Sequence, residues 1–413
     1  MRQSWIGLAL SYFFVTAAAG VVLRSAAIIP LPGIDYGHML HAHSHLAILG
    51  WGYMALFLLI VAHFIDERER DGMWLKRLFW LTQLAIAGMF VSFSLQGYAV
   101  FSIAFSTVHI LLSYVFAVWV WRHLRRQSED RGQTPLSFKF VRASLICLAL
   151  SSLGPWTLAV LGANHMNGTD LYDAAIYFYL HFQYNGWFTL GLIAVVLRIL
   201  EQNGVRYPKK LAKLHFGLYI GSLAPSYLLS VLWMATSPYA YALAAIGALL
   251  QWVAVALITA IVARLRLPIA ALYEGWARKF FALSFFALFL KASMEIGASI
   301  PVLSEKIYHS RHIVIGYLHL TLLGFVSFLL LSHFLRNGWL KEGQKTERAG
   351  YVLLLVGFVV QELVLFLQGL FDWTHAGGIL YEKEWLWIAS VGMAAGIFMF
   401  ARRRIRIKQN KWH

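Results

Sequence analysis

The sequence predicts an all-α membrane protein of twelve transmembrane helices, in three pseudo-repeated four-helix arcs with both termini cytoplasmic. Three observations carry this. Of 413 residues, 60% are apolar and 13% charged, against about 25% charged in water-soluble domains. The mean hydropathy is +0.64, and apolar runs long enough to cross about 30 Å of hydrocarbon recur along the whole chain. Histidines also recur at a period near one third of its length. The composition excludes a soluble enzyme, a nucleic-acid binder and a disulfide scaffold. Cys147 is the single cysteine and has no partner for an internal bridge.

The spans lie near 4–24, 41–64, 75–96, 99–121, 140–162, 171–198, 212–235, 239–263, 279–302, 312–335, 349–371 and 384–401. The first ends at Arg24, ahead of the turn Pro30-Leu31-Pro32-Gly33. The second opens on His41-Ala42-His43-Ser44-His45 and runs into an unbroken apolar stretch. The third and fourth are apolar, the fourth carrying His109. The fifth and seventh are interrupted by Pro155 and Pro225. The sixth starts at Asp170 and Asp173, suited to a helix N-terminus, and is the most polar, with His181, Gln183, Tyr184 and Asn185. The eighth is apolar. The ninth contains Lys291 and Glu295, the tenth His312 and His319, and the eleventh Glu362. The twelfth ends in the tail Arg402-Arg403-Arg404-Ile405-Arg406-Ile407-Lys408, a topology anchor suited to anionic lipid. Of the 35 Lys and Arg, all but Arg24, Lys291, Lys306, Arg311 and Lys383 fall at the N-terminus, after even-numbered spans or in the tail. That bias puts both ends in the cytoplasm and accounts for the formal charge of +16 without nucleic acid.

Twelve spans divide into blocks of four, roughly 1–138, 139–276 and 277–413, within one polytopic domain. The second span of each block carries a histidine in its outer half: His45, His181 and His319, separated by 136 and 138 residues. In each, glycine follows at i+5 and an aromatic at i+6: Gly50-Trp51, Gly186-Trp187 and Gly324-Phe325. Such a glycine admits a flat cofactor or a neighbouring helix close to the backbone. His41 and His45 are i,i+4 and share a face, whereas His43 points away. With His109, His312 and the threefold histidines, the outer half gathers imidazoles on four helices. Imidazole is the usual membrane-embedded ligand of haem iron and copper, so ligation is expected first of His45, His181 and His319. His63, His123, His215 and His333 lie near cytoplasmic ends and are expected to reach headgroups or helix C-termini.

Lys291 and Glu295, i,i+4 on span 9, are expected to neutralise each other, or to serve as a proton relay or a partner for cofactor carboxylates. Glu362 has no sequence-near partner and is a proton-path candidate. Gln183, Tyr184 and Asn185 are placed to orient an imidazole or bind a ligand.

Twelve spans, cytoplasmic ends, three four-helix arcs and histidines on helices 2, 6 and 10 resemble the catalytic subunits of haem-copper oxidases and nitric oxide reductases. The resemblance covers the whole chain by topology. It implies haem held by His41, His43 or His45 with His312 or His319, and His181 facing a second metal or the substrate; His109, in the outer half of span 4, is a separate candidate metal ligand. The family's His-X-His on helix 10 and His-His pair on helix 7 are absent; here helix 10 carries His312 and His319, and His215 lies at the cytoplasmic end of span 7. The chain is also similar to NnrS-type haem-copper membrane proteins of nitrosative stress, in size and in its early histidine cluster.

The expectation is a multi-pass protein of the bacterial inner membrane, its site facing the outer half, binding b-type haem with copper or non-haem iron as a second metal. It would act as an oxidoreductase on a small diatomic or nitrogen-oxide substrate, nitric oxide ahead of dioxygen. Among the acids, Glu295 and Glu362 would serve catalysis beside His181. No Cys-X-X-Cys-His motif is present, so electrons would come from quinol or a partner cytochrome. The alternatives are a transporter or sensor without haem and a copper carrier using the outer histidines.

Overall fold

The computed structural model describes residues 2–130, 132–234 and 237–405, so the tail from Arg406 onward, with Arg406, Ile407 and Lys408 of the expected anchor, lies outside the described residues. The protein is an α-helical membrane protein, with no strand among the described residues. Its main helices are α1 (Gln3–Ala26), α2 (Tyr36–Phe64), α3 (Met73–Gln96), α4 (Val100–Asp130), α5 (Leu136–Ala163), α6 (Asp170–Gln202), α7 (Lys209–Tyr227), α8 (Pro238–Arg264), α9 (Gly275–Ala298), α10 (Arg311–Arg336), α11 (Lys345–Thr374) and α12 (Glu382–Arg402). Eleven are long and apolar enough to cross a bilayer. The exception is α7, where the seventh apolar stretch does not run on to 235. Pro225 lacks a backbone N–H, and two residues later the helix gives way to short 3₁₀ turns at Leu228–Ser230 and Leu232–Met234. In α5 the break falls at Ser152, just ahead of Pro155.

The chain separates into two compact units. The first comprises Met1–Leu112, Glu274–Phe280 and Leu330–His413. Here α11 and α12 pack through glycines: a Cβ on Gly350 would lie 2.6 Å from the Gly396 carbonyl, and one on Gly357 2.7 Å from that of Ala389. Close backbone approach of this kind supplies the dispersion contact that holds helices together in lipid. α1 packs on α12 and on α2, with Phe13 stacked on Trp51 at 4.4 Å and Trp5 on Phe79 of α3 at 4.0 Å. The second unit comprises Ser113–Tyr273 and Phe281–Leu329. There α8 meets α7 at the proline kink, where a Cβ on Gly247 would fall 2.4 Å from the Ser226 nitrogen. α5 packs on α6.

α2, α6 and α10 share one construction. Each begins at a side-chain cap: Asp35 accepts from the N–H of His38, Thr169 from that of Tyr172, and Ser310 from that of Ile313. Each runs as α-helix to the threefold histidine and then widens into a π-helical segment: Leu46–Gly52 after His45, Phe182–Phe188 after His181, and Leu320–Ser327 after His319. Backbone bonds there span five residues, as from Tyr53 N–H to Ile48, Thr189 N–H to Tyr184 and Phe328 N–H to Leu323. Hydroxyls reinforce two of them: Thr189 donates to the Tyr184 carbonyl at 2.6 Å and Ser327 to that of Leu322 at 2.7 Å. π-Turns are rare and concentrate at functional positions. Their appearance at one point in all three repeats gives the sequence period a structural counterpart.

The glycines at i+5 serve helix approach where their surroundings are defined. A Cβ on Gly186 would lie 2.4 Å from the Cβ of Cys147 on α5, and one on Gly50 would meet the Leu46 side chain at 2.7 Å and Tyr12 of α1 at 3.3 Å. In these two repeats the glycine faces the preceding helix.

Candidate functional site

In the first unit, α2 lines up imidazoles along its N-terminal half. Asp35 Oδ1 accepts the His38 backbone N–H at 2.8 Å, which holds the Asp35 carboxyl below the usual carboxylate range. The His38 ring lies against Gly97, whose φ of +61° and lack of Cβ make room for it. His41 meets the Tyr98 ring edge-on at 4.6 Å, and His45 stacks on Phe93 of α3 at 4.2 Å. His43 faces α1, its Nδ1–H donating to the Thr16 carbonyl at 2.9 Å. His109 of α4 is 2% exposed, edge-on to Tyr53 at 4.9 Å, and within electrostatic range of His45. Its Nε2 has no hydrogen-bond partner among the described residues.

The hydrogen bonds of the threefold histidines fix their tautomers, because a carbonyl can only accept. His45 Nδ1–H donates to the His41 carbonyl at 2.9 Å, and His319 Nδ1–H to that of Ile315 at 2.9 Å. In both, the proton is on Nδ1 and the lone pair on Nε2, the state in which an imidazole ligates iron, its other nitrogen oriented by a carbonyl. His123 makes the same i−4 bond, to Trp119, away from any π-turn; among the described residues, the bond and the helix transition occur together at His45 and His319. His181 is reversed. Its Nε2–H donates to the Leu223 carbonyl of α7 at 2.9 Å, and its Nδ1 accepts from Asn185 Nδ2 at 3.2 Å. Both nitrogens are committed to the protein, so the donor set at His181 does not fit a metal.

Asn185 opens a polar network drawn from five helices of the second unit. Its Oδ1 accepts from Lys291 Nζ, and its backbone carbonyl accepts from Tyr219 OH at 3.1 Å. Lys291 Nζ lies 2.7 Å from Glu295 Oε1, their side chains only 2% and 7% exposed. Glu295 Oε1 also accepts from Tyr317 OH at 2.7 Å, and Oε2 from Gln251 Nε2 at 2.5 Å. Gln251 Oε1 in turn accepts from Ser226 at 3.1 Å. The i,i+4 ion pair legible on span 9 therefore forms, with every carboxylate oxygen supplied. A buried charge pair is tolerated when the remaining lone pairs are met in this way.

Other expected residues stand apart from these clusters. His312 sits half-buried in the first turn of α10. Glu362 lies in the first unit, in the middle of α11, and joins neither cluster. Sequence reasoning missed Gln251 and Tyr317; the signal for Gln251 was its position as a lone amide within the apolar span 8.

Among the described residues, no group of three or more His, Cys, Asp or Glu side chains converges as a metal site. Axial haem ligation asks for less, one neutral nitrogen per ligand; His45 bonds through Nδ1 and carries its lone pair on Nε2. No protein-family model and no curated protein matches this sequence.

Proposed function

We propose that this chain is a haem-binding redox protein of the bacterial inner membrane, a divergent relative of haem-copper oxidases and nitric oxide reductases. α7 completes twelve crossings, and both ends lie in the cytoplasm. The observation that supports this best is the shared state of His45 and His319. Each stands at an α-to-π transition of its repeat, with Nδ1–H tied to its own helix and Nε2 carrying the lone pair. His45 would hold b-type haem as an axial ligand, and Phe93, stacked on His45, would pack beside it. Bound haem supplies a one-electron carrier able to act on a small diatomic ligand, nitric oxide ahead of dioxygen. Quinol or a partner cytochrome would supply the electrons.

The chain's own residues argue for haem without a partner metal in the second unit. His181 is bonded at both nitrogens. Tyr317, two residues before His319, donates to Glu295 where a ligating histidine would serve the oxidase pattern. The Lys291–Glu295 network then fixes α6 to α10 around a neutral centre.

A second reading is favoured by one feature of α2. His38, His41 and His45 run at helical spacing from a partly exposed end toward buried His109, an arrangement suited to passing a copper ion between imidazoles.

One experiment separates the two: absorption spectra of the detergent-purified protein, oxidised and dithionite-reduced, with iron and copper determined on the same sample. The haem reading predicts a Soret band, sharp reduced α and β bands and stoichiometric iron. A colourless protein without iron contradicts it, and stoichiometric copper in that sample selects the carrier.

A further inference from the structure

Two neighbouring polar side chains in the middle of α11 are buried with polar atoms left unmet. Glu362 is 8% exposed and Gln361 2%. Neither carboxyl oxygen of Glu362 and not the Nε2 of Gln361 has a hydrogen-bond partner among the described residues, although the two side chains are neighbours. Gln361 lies one turn beyond Gly357, the residue that brings α11 against α12. The contrast with Glu295 is direct: there lysine, amide and phenol supply both oxygens. An ionised carboxylate without such partners costs several kcal/mol in a low-dielectric interior, and an unmet amide N–H adds about 1–3 kcal/mol. Ionisable groups kept inside a bilayer at that cost mark ion or proton pathways. A donor beside two acceptors is also the set of partners that one internal water requires.

We propose that Gln361 and Glu362 form a proton-exchange site in the middle of α11, working through a water held by both side chains. The carboxyl O–H breaks, its electron pair stays on the Glu362 oxygen, and the proton leaves on the water as hydronium; the reverse step restores the acid. The Gln361 amide donates to the carboxylate or to the water and so steadies the ionised form. The site is independent of haem and would operate whether or not the histidines bind it.

Infrared difference spectroscopy of the full-length protein in lipid vesicles tests this. The expected result is a C=O band of a protonated carboxyl that shifts on transfer into D2O and is missing in Glu362→Gln. A band that persists in Glu362→Gln, or one that stays unshifted in D2O, overturns the proposal, the latter marking a sealed structural acid. If Glu362→Gln does not fold, the wild type is treated with N,N′-dicyclohexylcarbodiimide. The protonated carboxyl adds across the C=N bond without a leaving group, and mass spectrometry locates the adduct. An adduct on Glu362 supports the site; an unmodified Glu362 beside a modified Glu295 overturns it.

Discussion

His45 and His181 occupy equivalent places in two repeats, yet their surroundings use them in opposite ways. Both end an α-helical segment that starts at a side-chain cap, and both precede a π-turn. At His45 the hydrogen bond that sets the ring comes from its own helix, and aromatic rings of α3 and the turn beyond it flank the imidazole. At His181 the neighbours reach in: Leu223 takes the Nε2 proton and Asn185 supplies Nδ1. One repeat sets its histidine by a bond within its own helix, and the other spends its histidine on fastening helices. Equivalence in sequence therefore identifies position, and the partners decide the use.

The largest effect should come from breaking the fastening. Lys291→Met leaves Glu295 buried with its charge uncompensated, and should cost about 3–5 kcal/mol. Glu295→Leu added to Lys291→Met should cost less than the sum of the single changes. Unfolding in detergent micelles reads both; strict additivity would show that the pair is not coupled.

Glycine at i+5 sharpens the comparison next. Gly186→Ala would set a Cβ 2.4 Å from the Cβ of Cys147, whereas at Gly50 the closest atom, at 2.7 Å, is the tip of Leu46. Gly186→Ala should therefore destabilise by about 1–3 kcal/mol, and Gly50→Ala by less, because a flexible side chain can move aside. Cys147→Gly should partly restore the Gly186→Ala protein, a rescue that simple loss of glycine flexibility would not give.

Smaller still is the hydroxyl at the π-turn. Thr189→Val removes the 2.6 Å bond to the Tyr184 carbonyl and should cost about 1 kcal/mol. Hydrogen exchange should localise the loss to the segment after His181, leaving the segment after His45 unchanged.

The least effect belongs to the cap of α2. The His38 backbone N–H lowers the pKa of Asp35 in the folded protein. Its stabilisation is present above the unfolded carboxylate pKa and is lost as pH falls through the lower folded value. The protection of the His38 amide, measured against its intrinsic exchange rate at each pH, should fall on acidification through that range. Asp35→Asn should retain the cap and abolish the pH dependence; an unchanged profile would place the titration elsewhere.

Hydropathy made the helices legible, because burial in lipid demands long apolar runs whatever their neighbours. It read α7 too long, since the run of apolar residues continues past Pro225 while the backbone ladder does not. The histidine period was visible for a similar reason: repeated positions leave repeated residues. Two things were not visible. The π-turns depend on whether the backbone closes its ladder over four residues or five, which apolar side chains do not declare. The partners of Lys291 come from α6, and those of Glu295 from α8 and α10, and only the local i,i+4 pair could be read from spacing. The tautomers of His45 and His181 were equally hidden, because a carbonyl from its own helix and one from α7 leave no mark in the sequence.

The most direct test of this asymmetry is electron paramagnetic resonance of the oxidised protein in two variants, with bound haem quantified in each. Wild-type and His181→Ala proteins should give the same low-spin ferric signal at full haem content. His45→Ala should lose that signal, to high-spin ferric haem or to loss of haem. A low-spin signal that survives in His45→Ala and disappears in His181→Ala would contradict the assignment of roles.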